Sequence, residues 1–173
     1  MSVLTEPNPG KVIIAILFNP SLEQSLFFPE LTKHFGPIDF ISENIPFTYS
    51  NYYKPEMGIG LIKRLLAFEK LRKQDEIVQI KLLTNDMEKT FQIDGKRRLN
   101  IDPGLLTAER VVLATGKNYT HRIYLLDGIY GDLTLMFRNG SFTALPWTYP
   151  DYKEPFLIEW LNAIRRKYLM QLR

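Results

Sequence analysis

The stretch LIKRLLAFE, residues 61–69, decides the fold, because its pattern fits either a strand or a short helix. Upstream, the run KVIIAILF (residues 11–18) is apolar, β-branched and bounded by turn residues, which is typical of a fully buried strand. A helix is predicted from a capping box at Ser21 and Gln24 to a stop at Gly36. A half-buried strand over 38–43 follows it.

Residues 74–89 carry apolar side chains at near-helical spacing after two acidic residues, which indicates a second helix. The segment TFQIDGKRRLNI (residues 90–101) predicts a hairpin that turns at Asp94-Gly95. If residues 61–69 form a strand, the chain up to residue 104 has the order strand, helix, strand, strand, helix, strand. That order is ferredoxin-like.

In the second half, Asp102 precedes Pro103-Gly104, which favours an extended residue followed by a type II turn. A short helix is expected over ERVVLAT (residues 109–115). Two tight turns, at Asp127-Gly128 and Asn139-Gly140, separate alternating runs and predict an antiparallel meander over 121–147. An apolar stripe predicts a final helix over 154–172.

We therefore expect one α+β domain over residues 1–173. Residues 10–104 form its ferredoxin-like part, and residues 105–173 add the short helix, the meander and the C-terminal helix. The meander either extends the first sheet or packs against it. No internal repeat or low-complexity tract suggests another division.

The composition excludes several kinds of site. The 173 residues are 45% hydrophobic and 24% charged, which is the profile of a globular protein rather than a disordered one. The chain has no cysteine and two histidines, so thiolate chemistry and multi-histidine metal sites are excluded. The net charge of +3 is too small to identify a nucleic-acid binder. The first residues show no export signal, and the longest apolar run is far too short for a membrane span, so we expect a cytoplasmic protein.

Standard nucleotide and hydrolase motifs are missing. Thr115-Gly116-Lys117-Asn118 is the nearest sequence to a P-loop but lacks the upstream glycine. No G-x-G-x-x-G follows the first strand, and neither G-x-S-x-G nor H-E-x-x-H occurs. An ordinary P-loop enzyme and a Rossmann site are therefore not expected.

Residues 94–122 hold six basic and three acidic side chains, an excess equal to that of the whole chain. This basic segment is consistent either with a pocket for a phosphorylated ligand or with a solvated hairpin bearing surface cations. If Arg97 shares a face with Leu99, it needs a carboxylate partner or a ligand. The candidate ligand-binding residues are Arg97, Arg98, Asn100, Asp102, Lys117, His121 and Arg122.

Two of these residues are candidates for catalysis. His121 could act as acid or base, with Asp102 orienting it. Asp102 could instead cap a turn, pair with Arg97 or Arg122, or hold Mg²⁺ with Asn100. A lone histidine is also commonly structural.

Two aromatic segments, FTYSNYY (47–53) and WTYPDY (147–152), lie in loop-like sequence. Loop aromatics stack nucleic-acid bases, and they also seal the edges of cores.

Several segments together resemble the uncharacterised prokaryotic family DUF4416. They are YYKPEMG, IKLLTND, DGKRRLNIDPGLLT, VVLATGKNYTHRIYL, GIYGDLTLMF and WTYPDY. The resemblance covers nearly the whole chain, with Leu105 where the family tends to have tyrosine and Gly116 where a polar residue is usual. Some members carry the label of GTP-binding protein, but this chain lacks the P-loop of the usual mechanism.

Three hypotheses of function follow. The first is a protein that binds a phosphorylated small molecule or nucleotide between residues 94–104 and 115–122. The second is an RNA-binding or protein-interaction module that uses a ferredoxin-like sheet and the loop aromatics. The third is a hydrolase or transferase that uses His121 and Asp102, with Mg²⁺ as its candidate cofactor.

Overall fold

A computed structural model describes residues 3–173, which form nine strands and four α-helices. The strands are β1 (Gly10–Phe18), β2 (Ile38–Ile41), β3 (Ile45–Pro46), β4 (Ile62–Arg72), β5 (Leu99–Leu106), β6 (Arg110–Thr115), β7 (Arg122–Leu126), β8 (Ile129–Arg138) and β9 (Ser141–Ala144). The helices are α1 (Gln24–Phe35), α2 (Lys54–Met57), α3 (Ile77–Thr90) and α4 (Pro155–Gln171). Short 3₁₀ turns at Gln74–Glu76 and Pro150–Lys153 precede α3 and α4.

The strands form one antiparallel sheet in the order β2-β4-β1-β5-β6-β8-β7, with β3 on β4 and β9 on β8. Residues 61–69 lie almost entirely in β4, which resolves their ambiguity in favour of the strand. The first part of the chain therefore has the βαββαβ order, and β5, β1, β4 and β2 lie side by side as in a ferredoxin-like sheet. The predicted α+β class is confirmed.

Both faces of this sheet are covered. The even-numbered residues of β1 from Val12 to Phe18 pack in one core with α1 and α3. Ile13 and Ala15 pack in a second core on the opposite face, with α4. Because both faces are buried there, β1 and the centre of β4, residues 65–68, are runs of apolar residues rather than alternating patterns. The predicted stripe of α4 is confirmed, since Leu157 and Leu161 are at most 1% exposed.

The meander extends the first sheet. β7, β8 and β9 are joined by two-residue turns at Asp127-Gly128 and Asn139-Gly140, as predicted. All four residues have positive φ, between 50° and 85°. This geometry matches the right-handed twist of the flanking strands, and glycine and Asn or Asp adopt it at low cost.

The expected short helix over 109–115 is wrong, because these residues form β6. Val111 and Val112 are β-branched and fit a pleated strand better than a helix. β6 also has a partner on each side, β5 and β8, which supply its backbone hydrogen bonds. The pairing with neighbouring strands therefore overrides the local helix signal.

The hairpin expected over 90–101 is largely absent. Asp94-Gly95 does form a tight turn with positive φ, but only Ile93 and Lys96 pair across it. α3 continues to Thr90, so the first arm is not a strand, and the second arm becomes a strand only at Leu99, where β5 begins and pairs with β1.

The expected turn at Pro103-Gly104 is also wrong, because both residues lie inside β5. Proline has no N–H to donate, and pairing with β6 begins only at the next residue, Gly104.

The predicted start of the first helix also differs. α1 begins at Gln24 without a side-chain cap, and the Ser21 amide and hydroxyl donate instead to the Asn19 side chain, at 3.0 and 2.6 Å. The local Asn19 contact therefore replaces the capping box.

Candidate functional site

The sheet splits between β5 and β6. The two strands pair only from Gly104↔Leu113 to Leu106↔Val111, whereas β6 continues alongside β8 as far as Thr115. At the last paired position the strands are so close that a Cβ on Gly104 would lie 2.6 Å from the Val112 carbonyl oxygen. Beyond it, the residues of β5 from 99 to 103 have only β1 as a strand partner.

Helix α3 takes the place of the missing strand. The Ile101 amide donates to the Glu88 carboxylate at 2.6 Å, and the Ile101 carbonyl accepts from the Lys81 ammonium at 2.9 Å. Both α3 side chains are 9% exposed. Burial raises the pKa of Glu88, although Lys81 and the Ile101 amide oppose it. The open edge of β5 is thus satisfied without a strand.

A cavity of about 610 Å³ lies at this split. Its lining combines charged and amide side chains from the sheet and α3 with aromatic rings from two loops. The polar members include Lys63, Lys81, Asn85, Glu88, Arg97, Asn100, Asp102, Lys117, Asp132 and Asp151. The aromatic members are Phe47, Tyr49, Tyr52, Tyr53, Tyr149 and Tyr152.

Arg97 has the carboxylate partner that the sequence suggested. Its guanidinium forms a two-pronged ion pair with Glu56, at 2.8 and 2.7 Å, and a hydrogen bond to the Asn100 amide oxygen at 3.0 Å. The Asn100 amide then donates to Asp102 at 2.8 Å. The Glu56 hydrogen bonds hold the pKa of Arg97 above its ordinary value, and Arg97 holds the pKa of Glu56 below its own.

Lys117 follows β6 and lies over Tyr52. Its ammonium donates to the Tyr52 hydroxyl at 3.1 Å and is 4.2 Å from the ring centroid. This contact lowers the pKa of Tyr52. Within residues 3–173 Lys117 forms no ion pair with a carboxylate, so its charge is available to a ligand in the cavity.

His121 and Arg122 both bind Asp132, on β8. The His121 Nε2 is 3.1 Å and the Arg122 Nε is 2.9 Å from the same carboxylate oxygen. Asp132 lines the cavity, whereas His121 and Arg122 are not among the residues that line it. The hydrogen-bond partner of His121 is therefore Asp132, while Asp102 contacts Asn100 and lies 4.0 Å from Lys81.

Arg98 lies apart from the other candidates. Its guanidinium contacts the Ser21 hydroxyl at 2.5 Å and faces a second, more open depression beside the turn at 94–95. Arg97 lines both the cavity and this depression. The structure thus brings Arg97, Asn100, Asp102 and Lys117 to the cavity wall, and places His121, Arg122 and Arg98 outside it.

Lys63, Asp151 and Tyr152 also line the cavity, and none of them is a site residue predicted from the sequence. Lys63, on β4, forms an ion pair with Asp151, and its ammonium is 4.4 Å from the centroid of the Tyr152 ring. The Tyr152 hydroxyl is buried without a hydrogen-bond partner in residues 3–173, and burial raises its pKa strongly. A lysine inside the apolar run 61–69 was the signal that could have indicated this site.

The two aromatic segments meet at the cavity, although nearly a hundred residues separate them in sequence. Tyr53 comes from the first segment and Tyr149 from the second, and both line the cavity. Burial raises the pKa of both hydroxyls. These loops therefore close the cavity from two sides rather than projecting separately into solvent.

Residues 3–173 contain no group of three His, Asp or Glu side chains arranged to hold a metal ion. Asp102 still presents a carboxylate to the cavity, with its side chain 44% exposed. A role for Asn100 and Asp102 in holding Mg²⁺ stays a prediction.

Comparison with known proteins supplies a family but no activity. The family model described as a domain of unknown function, DUF4416, matches residues 8–168. Searches of curated proteins and of solved structures each gave no match. In the part of the chain described here, no helix is both long and apolar enough to cross a membrane. The chain belongs to the DUF4416 family.

Proposed function

We propose that this protein binds a nucleotide or a similar phosphorylated small molecule in the cavity between β5 and β6. The observation that carries the proposal is a cavity of about 610 Å³ that combines tyrosine rings with a cation lacking a carboxylate partner in residues 3–173. Small-molecule sites typically occupy roughly 300–1,000 Å³ and combine apolar walls with a few placed polar groups. A cytoplasmic location is part of this proposal.

The aromatic loops provide the surfaces for a planar ring. Tyr49 and Tyr53 come from one loop, and Tyr149 and Tyr152 come from the other. Aromatic faces stack on bases whatever the base, and tyrosine adds a hydroxyl at the ring edge. The polar edge of a base finds hydrogen-bonding groups nearby, among them the Asp102 carboxylate, whose side chain is 44% exposed.

Lys117 is the best placed residue to bind the phosphate. Arg97 and Lys63 are already paired with Glu56 and Asp151, so a ligand phosphate would compete with those carboxylates. Among residues 3–173, the side-chain partners of the Lys117 ammonium are the Tyr52 ring and hydroxyl alone. The Lys117 carbonyl also accepts from Arg122 at 2.9 Å, which fixes the backbone beside the cavity.

Isothermal titration calorimetry tests this proposal with AMP, GMP, CMP and UMP, each measured beside the nucleoside that lacks the phosphate. We expect at least one nucleotide to bind more tightly than its nucleoside. Lys117→Ala should weaken nucleotide binding about tenfold, which is about 1.4 kcal/mol, and leave nucleoside binding nearly unchanged. Lys33→Ala is the matched control, because it removes the same charge from an exposed position on α1.

The proposal fails if none of the four nucleotides produces heat at concentrations on the order of 1 mM. It also fails if Lys117→Ala and Lys33→Ala weaken binding equally, since that result would mean nonspecific attraction of an anion by the net charge.

A further inference from the structure

Four exposed aromatic residues and the exposed Lys117 lie at the cavity or are linked to its lining through Arg122 and His121, and the Arg122 side chain is itself only 8% exposed. We call this set the rim: Tyr52, Lys117, Tyr119, Arg122, Trp147 and Tyr149. Its four aromatic residues are between 41% and 64% exposed. Rings of this size are more often buried in a protein that has no partner for them.

Contacts join the rim into one surface. Arg122 donates to the Tyr149 hydroxyl and to the Lys117 carbonyl, and its guanidinium carbon lies 6.0 Å from the centroid of the Tyr119 ring. The His121 ring stacks on Trp147 at 5.0 Å and 14°, and it meets the edge of Tyr119 at 5.6 Å. One face of these rings is therefore held by the protein, while the residues stay accessible to a partner.

Cations also lie on the other side of the cavity. The second depression has four cationic side chains and two acidic ones in its lining. One of the two acids, Glu56, forms an ion pair with Arg97. Lys54, Lys96 and Arg98 form no ion pair with a carboxylate of residues 3–173. Arg97 and Arg122 are already paired with Glu56 and Asp132, so the cations left without a carboxylate partner in residues 3–173 are Lys54, Lys96 and Arg98 on this side of the cavity and Lys117 on the other.

We propose that the protein binds single-stranded nucleic acid, with one nucleotide inside the cavity and its neighbours on the rim and in the second depression. This inference rests on the proposed function, because the nucleotide in the cavity is its central element. Interleaved aromatic rings and cations suit a single strand, whose bases stack on the rings while its phosphates meet the cations. The cores of protein–protein interfaces are instead depleted in lysine, whereas Lys54, Lys96 and Lys117 lie on this surface.

The site differs from the usual nucleic-acid surface of a ferredoxin-like sheet. In that arrangement, aromatic residues on an open sheet face stack the bases. Here α4 packs on the face opposite α1 and α3, so both faces are covered in the ferredoxin-like part of the sheet. The single-stranded nucleic acid would therefore bind at the ends of the β-strands, where β5 and β6 separate, rather than on a face of the sheet.

Fluorescence anisotropy tests this inference with labelled eight-nucleotide strands of oligouridylate and oligothymidylate, competed by the matching mononucleotides and by an eight-base-pair duplex. We expect one single strand to bind at least tenfold more tightly than its mononucleotide, and the duplex to bind more weakly. Affinity should fall as salt rises, by about 0.7 in log K per log[salt] for each phosphate contact. Comparing the two strands shows whether the site prefers RNA or DNA.

Two variants test whether the bound oligonucleotide contacts the rim and the second depression. Tyr119→Ala should weaken the oligonucleotide about tenfold and leave the mononucleotide unchanged, because Tyr119 lies outside the cavity. Tyr124→Ala is the control, because it removes a 57% exposed ring of β7 that packs against Tyr130, which is not a rim residue. Arg98→Ala should reduce the salt slope by about 0.7, whereas Lys33→Ala should not change it.

If a mononucleotide binds but the oligonucleotide gains nothing over it, this inference is wrong and the proposed function stands. Equal binding of the duplex, or equal losses in Tyr119→Ala and Tyr124→Ala, would also overturn it. If neither mononucleotide nor oligonucleotide binds, both the inference and the proposed function are wrong.

Discussion

The two ends of the β5–β6 pair differ although the same strands form them. At the closed end, Gly104–Leu106 pair with β6 through backbone hydrogen bonds, and the strands touch. At the open end, Ile101 turns its amide and carbonyl to Glu88 and Lys81 of α3, and the space between the strands is the cavity. The comparison indicates that two neighbouring strands of a sheet can separate to form a cavity when a helix supplies the hydrogen bonds that a strand would otherwise make.

The largest expected effect comes from adding one methyl group at the closed end. A Cβ at Gly104 would meet the Val112 carbonyl oxygen at 2.6 Å and a Leu113 methyl at 2.7 Å, so Gly104→Ala must push the strands apart. We expect a loss of about 3 kcal/mol in the free energy of unfolding, the upper part of the range for overpacking.

Gly116→Ala is the matched change at the open end, where nothing lies within 4 Å of the added Cβ. It should alter stability by less than about 0.5 kcal/mol. Urea denaturation followed by circular dichroism measures both variants. Equal losses would show that the two ends are packed alike, contrary to the structure.

An intermediate effect on stability is expected when the Glu88 carboxylate, which accepts the hydrogen bond of the Ile101 amide in place of a neighbouring strand, is removed. Glu88→Ala leaves the buried Ile101 amide without its acceptor, which should cost about 2 kcal/mol of unfolding free energy. Asp86→Ala on the same helix removes a carboxylate that is 71% exposed and whose ion-pair partner is the similarly exposed Lys89 of the next turn. That control should change stability by less than about 0.5 kcal/mol. A Glu88→Ala protein as stable as Asp86→Ala would mean that the open edge of β5 needs no partner.

The smallest effect is a dependence of stability on pH at the open end. Burial raises the pKa of Glu88 above its ordinary value of 4.5, so the folded protein holds this proton after the unfolded chain has released it. The stability that Glu88 contributes by holding this proton is therefore complete below pH 4.5. It is lost as the pH rises through the pKa that Glu88 has in the folded protein.

The Glu88→Gln variant keeps an oxygen acceptor for Ile101 but does not titrate. We expect the wild type to lose stability relative to Glu88→Gln as pH rises from 4.5, as measured by urea denaturation at a series of pH values. A wild type that gains stability relative to the variant over that interval would show that the Glu88 pKa is lowered by its partners instead.

The sequence predicted the parts of the fold that depend on local pattern. The apolar run of β1, the stripe of α4 and the two glycine-containing turns of the meander each carry a signal that neighbouring residues reinforce. The sequence did not predict β6, because its residues take their conformation from the strands on either side. Pro103-Gly104 likewise looks like a turn until the end of the β5–β6 pairing is known.

The candidate site was predicted less completely than the fold. Arg97, Asn100, Asp102 and Lys117 come from one basic segment, and that excess of charge was visible in the sequence. The partners are distant in the chain: Lys63 and Asp151, for example, are 88 positions apart. Only the topology brings such pairs together, so spacing could not have predicted that Asp132, rather than Asp102, accepts from His121.

The most direct measurement is a ¹H–¹⁵N NMR titration of the wild-type protein with each of the four nucleoside monophosphates. If the cavity at the open end binds the ligand, the amide signals of Ile101, Gly116 and Lys117 should shift with a common saturation curve. The amide signals of Leu106 and Val111 at the closed end should stay in place. Saturable shifts confined to the closed end or to the outer faces of the helices, or no shifts at all, would contradict a ligand site between β5 and β6.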